Sequence, residues 1–186
     1  MLTRAKLTDV PLSVYEKKTG RSELMRAPKY SIILAAGKGT RMQSADLHKV
    51  CFPIDGKAAI NRSLETYNSC GIAHHIIVVG VMAAEVMDTV MAENVIYAYQ
   101  AEQLGTAHAA RQGAKVIAAL SEEAEVLVVA GDRLIQPQVL EQLFDVYYSQ
   151  DCDLAFLALP RRKPSNLGRV LLHSDGSVLG DVEAAD

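Results

Sequence analysis

Residues 34–42, LAAGKGTRM, carry the groups best suited to chemistry on an anion. Gly37 and Gly39 can adopt positive φ and bring backbone N–H groups close to a ligand. Lys38 and Arg41 add positive charge, and the Arg41 guanidinium can form forked bonds to phosphate oxygens. The spacing fits neither the dinucleotide fingerprint, whose third glycine is missing, nor the longer Walker A loop. The stretch predicts a short anion-binding loop, with a plain turn as the alternative on local features.

Other stretches hold single polar residues of suitable type. Lys49, taken alone, is most simply a surface lysine. The Gln100 carboxamide can both donate and accept, which suits the edge of a base. Gly105-Thr106 opens a predicted helix, so Thr106 or the free N–H groups could take an anion, or form an ordinary N-cap. Asp132 follows an apolar strand, where a carboxylate needs a partner or a cation, so it is a candidate magnesium ligand or a structural cap.

The elements that must position these residues alternate along the chain. Apolar runs predict strands over 30–36, 74–80, 94–100, 124–132 and 152–160, and helical periodicity predicts helices over 58–70, 83–93, 105–120 and 137–150. His108 lies on the third of these helices and can be an ordinary helix-surface residue. The final stretch, 168–183, predicts a β-hairpin turning at Asp175-Gly176. The pattern predicts an α/β fold: a Rossmann-like, mostly parallel sheet with helices on both faces and a C-terminal β-hairpin.

This fold class explains why the polar stretches belong together. Ligands of such sheets bind beyond the carboxyl ends of the strands. The stretches GKGTRM, QAEQLGTAHA and AGDRL each lie at or directly after the carboxyl end of a predicted strand, so we expect them at one rim of the sheet.

Composition excludes several classes of function. The chain has 186 residues, 49% of them hydrophobic and 22% charged, with a net charge of −3, which gives no case for nucleic acid or a membrane surface as partner. No apolar run approaches the roughly 20 residues of a membrane span, and a signal peptide is not expected. The scattered Cys51, Cys70 and Cys152 form no C-x-x-C pair, which indicates inert thiols and a cytoplasmic location. We expect a basic extension at 1–28 and one α/β domain at 29–186.

The stretches LAAGKGTRM, HKV, QAEQLGTAHA, AGD, GR and VE, in this order, resemble the sugar nucleotidyltransferase superfamily. The resemblance is greatest to the uridylyltransferase domain of N-acetylglucosamine-1-phosphate uridylyltransferases, and covers about residues 30–186. It implies attack of a sugar 1-phosphate, such as N-acetylglucosamine 1-phosphate, on the α-phosphate of UTP, with Mg²⁺ as cofactor and pyrophosphate as leaving group. Catalysis of this kind depends on alignment and charge neutralisation, without a covalent enzyme intermediate.

The resemblance also implies roles for particular residues. The catalytic side chains would be Arg41, on the triphosphate, and Lys49, on the phosphates where the bond forms. Asp132 would bind magnesium. The nucleotide would be held by Leu34, Ala35, Ala36, Gly37, Lys38, Gly39, Gln100, Gly105 and Thr106. The sugar would be held by Gly168 and Glu183.

The chain departs from the family pattern in several places. His48 stands where the family usually has a proline before the lysine, and since that proline is structural we expect a small effect. Arg133 lies next to the presumed metal ligand, where a cation could bind phosphate or weaken magnesium binding. The extension 1–28 has no counterpart in the family. The family supplies more sugar contacts and a second metal ligand after the point where this chain stops, so we expect a truncated catalytic domain.

Three alternatives remain open at this stage. The base could be that of CTP or GTP, because base choice depends on a few contacts. The acceptor could be an alcohol phosphate or a molybdopterin. The chain could also be a regulatory module that senses nucleotide sugars without turnover, although such a module need not keep Lys49, Arg41 and Asp132 together. A homo-oligomer is compatible with the sequence.

Overall fold

The structure, a computed structural model, describes residues 27–37, 47–150, 153–158, 168–174 and 178–182. It contains two compact units, which meet in sequence between Glu141 and Gln142 and are described separately. The predicted extension 1–28, apart from its last two residues, lies outside the described residues. Its boundary with the domain at 29–186 stays a prediction.

The described elements follow the predicted alternation of strand and helix. In chain order they are β1 (Tyr30–Ala35), a 3₁₀ turn (Lys49–Cys51), β2 (Pro53–Ile54), β3 (Lys57–Ala58), α1 (Ala59–Ser69), β4 (His74–Val79), α2 (Ala83–Thr89), β5 (Val95–Tyr99), α3 (Thr106–Leu120), β6 (Val126–Ala130), α4 (Pro137–Ser149), β7 (Arg169–Leu172) and β8 (Val178–Val182). None of the helices in this part of the chain is long and apolar enough to cross a bilayer.

The central sheet of the first unit has the strand order β5-β4-β1-β6, and all of its neighbouring strands pair in parallel. β1 is an interior strand: its Ile32 is in register with Ile76 of β4 on one edge and with Val128 of β6 on the other. The runs that form these strands are rich in Ile and Val, whose branched side chains suit a pleated, buried surface. The predicted parallel α/β sheet is therefore confirmed.

Helices cover both faces of this sheet. Ile32 and its neighbours in the core face α3, which approaches so closely that a Cβ on Gly113 would lie 2.7 Å from Ile32 Cγ2. The opposite face carries His75, whose Nε2 lies 3.0 Å from the Asn68 Oδ1 of α1. Because successive side chains of a strand point to opposite faces, α1 and α3 cover different sides, as the apolar strands required.

The end of α2 and the segment before α1 differ from the sequence prediction. α2 ends at Thr89 rather than at 93, because Asn61 of α1 takes the backbone groups that would continue it: Asn61 Nδ2 donates to Thr89 O (2.9 Å) and Met91 N donates to Asn61 Oδ1 (3.1 Å). The short β2–β3 hairpin and the 3₁₀ turn at Lys49–Cys51 were not predicted. The hairpin's signal was present in the sequence as Asp55-Gly56, a typical two-residue turn.

In the second unit, one prediction from the sequence is confirmed and another is wrong. β7 and β8 pair in antiparallel fashion, with Arg169 opposite Val182, which confirms the C-terminal hairpin. The predicted turn at Asp175-Gly176 lies outside the described residues. The strand predicted over 152–160 is wrong where it is described, since residues 153–158 have no strand structure and Leu154 is 63% exposed. An apolar run favours a strand, but it forms one only where a neighbouring edge supplies the hydrogen bonds.

A buried polar cluster lies at the amino end of the sheet, opposite the rim predicted to bind ligands. Ser31 and His75 are fully buried, and Ser31 Oγ donates to His75 Nδ1 at 2.8 Å. His75 Nε2 donates to Asn68 Oδ1, which also accepts from Asn94 Nδ2 at 2.8 Å. Both ring nitrogens are therefore satisfied in the neutral imidazole. Burial, with a smaller contribution from His74, lowers the pKa of His75 to about 4.

This pKa predicts an acid-sensitive fold. Because the folded state holds His75 neutral while the unfolded chain protonates near pH 6.5, stability is full above pH 6.5 and falls as the pH drops towards 4. The shift corresponds to about 3 kcal/mol of unfolding free energy. Urea denaturation between pH 7 and pH 4 should show a steeper loss for the wild type than for His75→Gln. The exposed His173→Gln is the control and should keep the wild-type slope, whereas equal slopes for wild type and His75→Gln would contradict the assignment.

Candidate functional site

The candidate site lies where the order of the strands reverses. From β1 the chain proceeds to β4 and β5 on one side, and then returns to place β6 on the other side of β1. In parallel sheets the crevice beyond the carboxyl ends of the strands at such a switch point is the usual ligand site. Gly37 follows β1 and Asp132 follows β6, so the structure brings these two predicted residues to the same rim.

The backbone at the end of β1 is held on both sides. Gly131 N donates to Leu34 O at 2.9 Å, which continues the contact between β1 and β6 for one more step. On the β4 side, a Cβ on Gly80 would lie 2.8 Å from Ala36 O, so only glycine allows this approach. Ala35 and Ala36 are buried, and Gly37 is the first exposed residue of the loop. The loop therefore starts from a fixed point.

Lys49 and Asp132 form an ion pair at this rim. Lys49 Nζ donates to Asp132 Oδ2 at 3.0 Å, and the two side chains are 25% and 38% exposed. Lys49 comes from the 3₁₀ turn and Asp132 from the loop after β6, so residues 83 positions apart meet there. Partial burial by itself would raise the pKa of Asp132, but the hydrogen bond and charge of Lys49, helped by Arg133, lower it below the usual value. The carboxylate is therefore held in its charged form.

Gln100 lies at the same rim, directly after β5, which β4 separates from β1. It is 3% exposed, and its Nε2 donates to Gly105 O at 3.2 Å and lies 3.0 Å from His108 Nδ1. The amide nitrogen is therefore engaged within the protein. The sequence allows His108 to be a helix-surface residue, but in the structure it is partly buried and contacts both Gln100 and Gln112. Its spacing from Gln100 gave no signal, because the contact crosses the loop between β5 and α3.

The start of α3 does not use the expected side-chain cap. Gly105 is the residue before the helix, with φ +91° and ψ −178°, and no side chain caps the first turn. This backbone conformation is essentially restricted to glycine. Thr106 is exposed and is the first residue of α3, so the simple interpretation of Thr106 as an N-cap is wrong.

The remaining predicted residues do not enter this geometry. Lys38, Gly39, Arg41 and Glu183 lie outside the described residues. Gly168 is exposed and belongs to the other unit. Their roles stay predictions of the resemblance.

The donor set suits a divalent cation that is shared with a substrate. Within the described ranges there is no group of three or more His, Cys, Asp or Glu side chains that could hold a metal. Asp132 is a single charged carboxylate at the rim. Mg²⁺ is often held in this way, by one or two carboxylates together with water and substrate phosphates. The charged carboxylate of Asp132 therefore fits the kind of ligand that such an ion takes from a protein.

This fold, with its polar groups at the switch point, defines a ligand-binding α/β domain. The chain belongs to the family of MobA-like NTP transferase domains, which matches residues 31–184.

Individual relatives agree with this family. The bifunctional protein GlmU of Lactococcus lactis is 39% identical over 159 residues, which cover 85% of this chain and 34% of that protein. The chain thus spans about a third of the length of the curated relatives it matches. The structure of UDP-glucose pyrophosphorylase complexed with UDP-glucose has a TM-score of 0.63 at 21% identity, covering 85% of this chain and 69% of that one. A Mycobacterium tuberculosis protein in complex with manganese has a TM-score of 0.52 at 18% identity, covering 66% and 61%.

The Lys49–Asp132 pair should contribute little to folding. Exposed ion pairs typically contribute about 0.2–1 kcal/mol. We therefore expect Lys49→Met to lower the free energy of unfolding by less than about 1 kcal/mol in urea denaturation. Lys57→Met, which breaks the exposed pair with Glu65, is the matched control and should behave alike. A loss above about 2 kcal/mol for Lys49→Met alone would make the pair a structural element instead.

Proposed function

We propose that this domain transfers a nucleotidyl group from UTP to a sugar 1-phosphate, giving a UDP-sugar and pyrophosphate. The observation that carries the proposal is the Lys49–Asp132 pair, which lies at the switch point beside the start of the glycine-rich loop. A triphosphate needs cationic groups and a metal ligand at one place, and this rim supplies one of each. Membership of the NTP transferase family supports the same chemistry.

The reaction needs few protein groups. A phosphate oxygen of the sugar 1-phosphate attacks the α-phosphorus of UTP, a new O–P bond forms, and the bond from the α-phosphorus to the bridging oxygen breaks as pyrophosphate leaves. Lys49 would leave Asp132 and neutralise charge on the phosphates where this exchange occurs. Arg41 and the backbone of 34–39 would hold the triphosphate in line. The protein thus contributes positioning and charge, which are the main sources of catalysis in phosphoryl chemistry.

A divalent cation, Mg²⁺ in this proposal, would be held by Asp132 and the substrate phosphates. Such an ion neutralises charge on the phosphates and orients them. The manganese complex of the structurally similar mycobacterial protein is compatible with a divalent ion in this fold. Asp132 would hold the ion and Lys49 would contact the phosphates, so each residue of the pair would exchange one charged partner for another.

The relatives and the contacts of Gln100 support particular substrates. The Gln100 Nε2 contacts Gly105 and His108, so the amide oxygen is the group that would bind a base. An amide oxygen accepts a hydrogen bond, and uracil offers an N–H donor at N3. The UDP-glucose complex of a structurally similar protein supports UTP over CTP or GTP. The resemblance of the sequence motifs to N-acetylglucosamine-1-phosphate uridylyltransferases supports N-acetylglucosamine 1-phosphate over an alcohol phosphate or a molybdopterin. Gly168 and Glu183 would contact the sugar. The buried free thiols of Cys51 and Cys70 suit a reducing, cytoplasmic location.

The first test is magnesium-dependent release of pyrophosphate. UTP, CTP, GTP and dTTP would be combined with a panel of sugar 1-phosphates that includes N-acetylglucosamine 1-phosphate. We expect release with UTP, and a loss of at least about 10²-fold in Asp132→Asn, because an electrostatic stabiliser of the transition state is removed. Asp145→Asn changes an exposed carboxylate of α4 and should keep the wild-type rate. UTP binding without pyrophosphate release for any acceptor would favour the sensing module.

The glycine-rich loop has its own test. Arg41→Ala should lower the rate of pyrophosphate release by about 10²–10³-fold, since it removes a cationic contact to the triphosphate. Arg111→Ala, which removes an exposed arginine of α3, is the matched control and should have little effect. A normal rate for Arg41→Ala would remove this residue from the proposed site while leaving the role of Asp132 intact.

A further inference from the structure

His48 stands next to Lys49 and is almost completely buried, with 2% of its surface exposed. The sequence predicted a small effect of this histidine, because the family's proline at the position is structural. A buried histidine, however, must satisfy two ring nitrogens and a backbone N–H, which a proline does not have. The contacts of His48 therefore show what a histidine adds in place of the family's proline.

Each of these groups reaches a different part of the site. His48 Nε2 lies 2.9 Å from the carbonyl oxygen of Gly37, at the start of the glycine-rich loop. His48 N donates to Glu85 Oε1 of α2 at 2.8 Å. His48 Nδ1 accepts from Val50 N at 3.4 Å, and so caps the 3₁₀ turn that carries Lys49. One residue therefore joins three segments: its ring contacts the loop after β1 and the Lys49 turn, and its backbone N–H contacts α2.

The protonation state of His48 agrees with these contacts. Since Nδ1 accepts from a backbone N–H, the proton of the neutral ring is on Nε2, which can then donate to Gly37 O. Burial lowers the pKa of His48, against smaller opposing effects of Gly37 and Glu85, and so favours the neutral ring. No polar group of the residue is left unpaired by this tautomer.

The bond to Gly37 has a directional consequence. The carbonyl group of Gly37 and the backbone N–H of the next residue belong to one planar peptide unit. A hydrogen bond that holds the carbonyl oxygen therefore also restricts the direction of that N–H. A loop that binds an anion through its N–H groups needs those planes set before the ligand arrives, because ordering them on binding costs affinity. His48 is placed to do this at the first exposed residue of the loop.

We infer that His48 is a positioning residue for triphosphate binding: through Nε2 and Gly37 O it fixes the start of the glycine-rich loop relative to Lys49. The inference rests on the proposed function, because it assumes that this loop receives the phosphates. It assigns His48 no contact with the substrate. The family's proline could restrict the chain before the lysine, but it could not donate to Gly37 or to Glu85.

Two substitutions separate the contacts of His48. In His48→Gln, the amide Nε2 is four bonds from Cα, as in histidine, and can still donate to Gly37 O. In His48→Asn, the shorter side chain can cap the 3₁₀ turn, as Asn does at N-caps, but cannot reach Gly37. Both variants keep the backbone N–H that binds Glu85. His74→Asn, at the exposed amino end of β4, is the matched control.

The experiment is calorimetric titration of each variant with UTP and with UMP in the presence of magnesium. We expect His48→Asn to weaken UTP binding about tenfold, the size expected for one hydrogen bond, and UMP binding by no more than about twofold. His48→Gln should bind UTP within about threefold of the wild type, and His74→Asn should match the wild type. This split supports positioning of the phosphate loop, since a general loosening of the fold would weaken UTP and UMP alike.

The remaining outcomes are distinguishable. Equal UTP affinity of wild type and His48→Asn would overturn the inference and leave the proposed function standing. Equal weakening of UTP and UMP, or failure of His48→Gln to restore UTP binding, would also overturn it, because the donor to Gly37 would then not be the active group. Absence of UTP binding by the wild type would overturn the proposed function, and the inference with it.

Discussion

The pairing of β1 on both of its edges is the constraint on which the rest of this site depends. Parallel ladders to β4 and β6, together with helices on both faces, leave β1 no freedom to shift in register, because a slip of one residue would exchange its buried faces. The end of the strand is fixed by the same ladders, since Gly131 still bonds Leu34 after β6 has ended. A loop that leaves such a strand begins at a defined point and in a defined direction.

The side chains around that point are held by neighbours from other elements. Lys49 pairs with Asp132, Gln100 contacts His108, and His48 bonds Gly37. Each contact joins segments that are distant in sequence or separated by a loop, so each is a product of the fold and not of local propensity. Groups held in this way lose little freedom when a ligand replaces one partner, which is the physical content of preorganisation.

Much of the fold, but less of the site, could be predicted from the sequence. Apolar runs such as VLVV at 126–129 identify strands, and the rule on carboxyl ends collects the polar stretches at one rim. Periodicity cannot give the order of strands, nor the contact of Asn61 that ends α2. It also failed for residues 153–158, where an apolar run lacks strand structure. His48 and His108 were underestimated because their partners, Gly37 and Gln100, are reached only across loops.

The Lys49–Asp132 pair gives the strongest argument for a ligand at this rim. Two partly exposed, opposite charges contribute little to folding, because water screens them and their side chains lose freedom when they pair. They lie at the switch point, beside the end of a doubly paired strand, where an anion and a cation would separate them. In the proposed function the phosphates would take Lys49 and the cation would take Asp132, so each charge would keep an opposite partner when the pair separates.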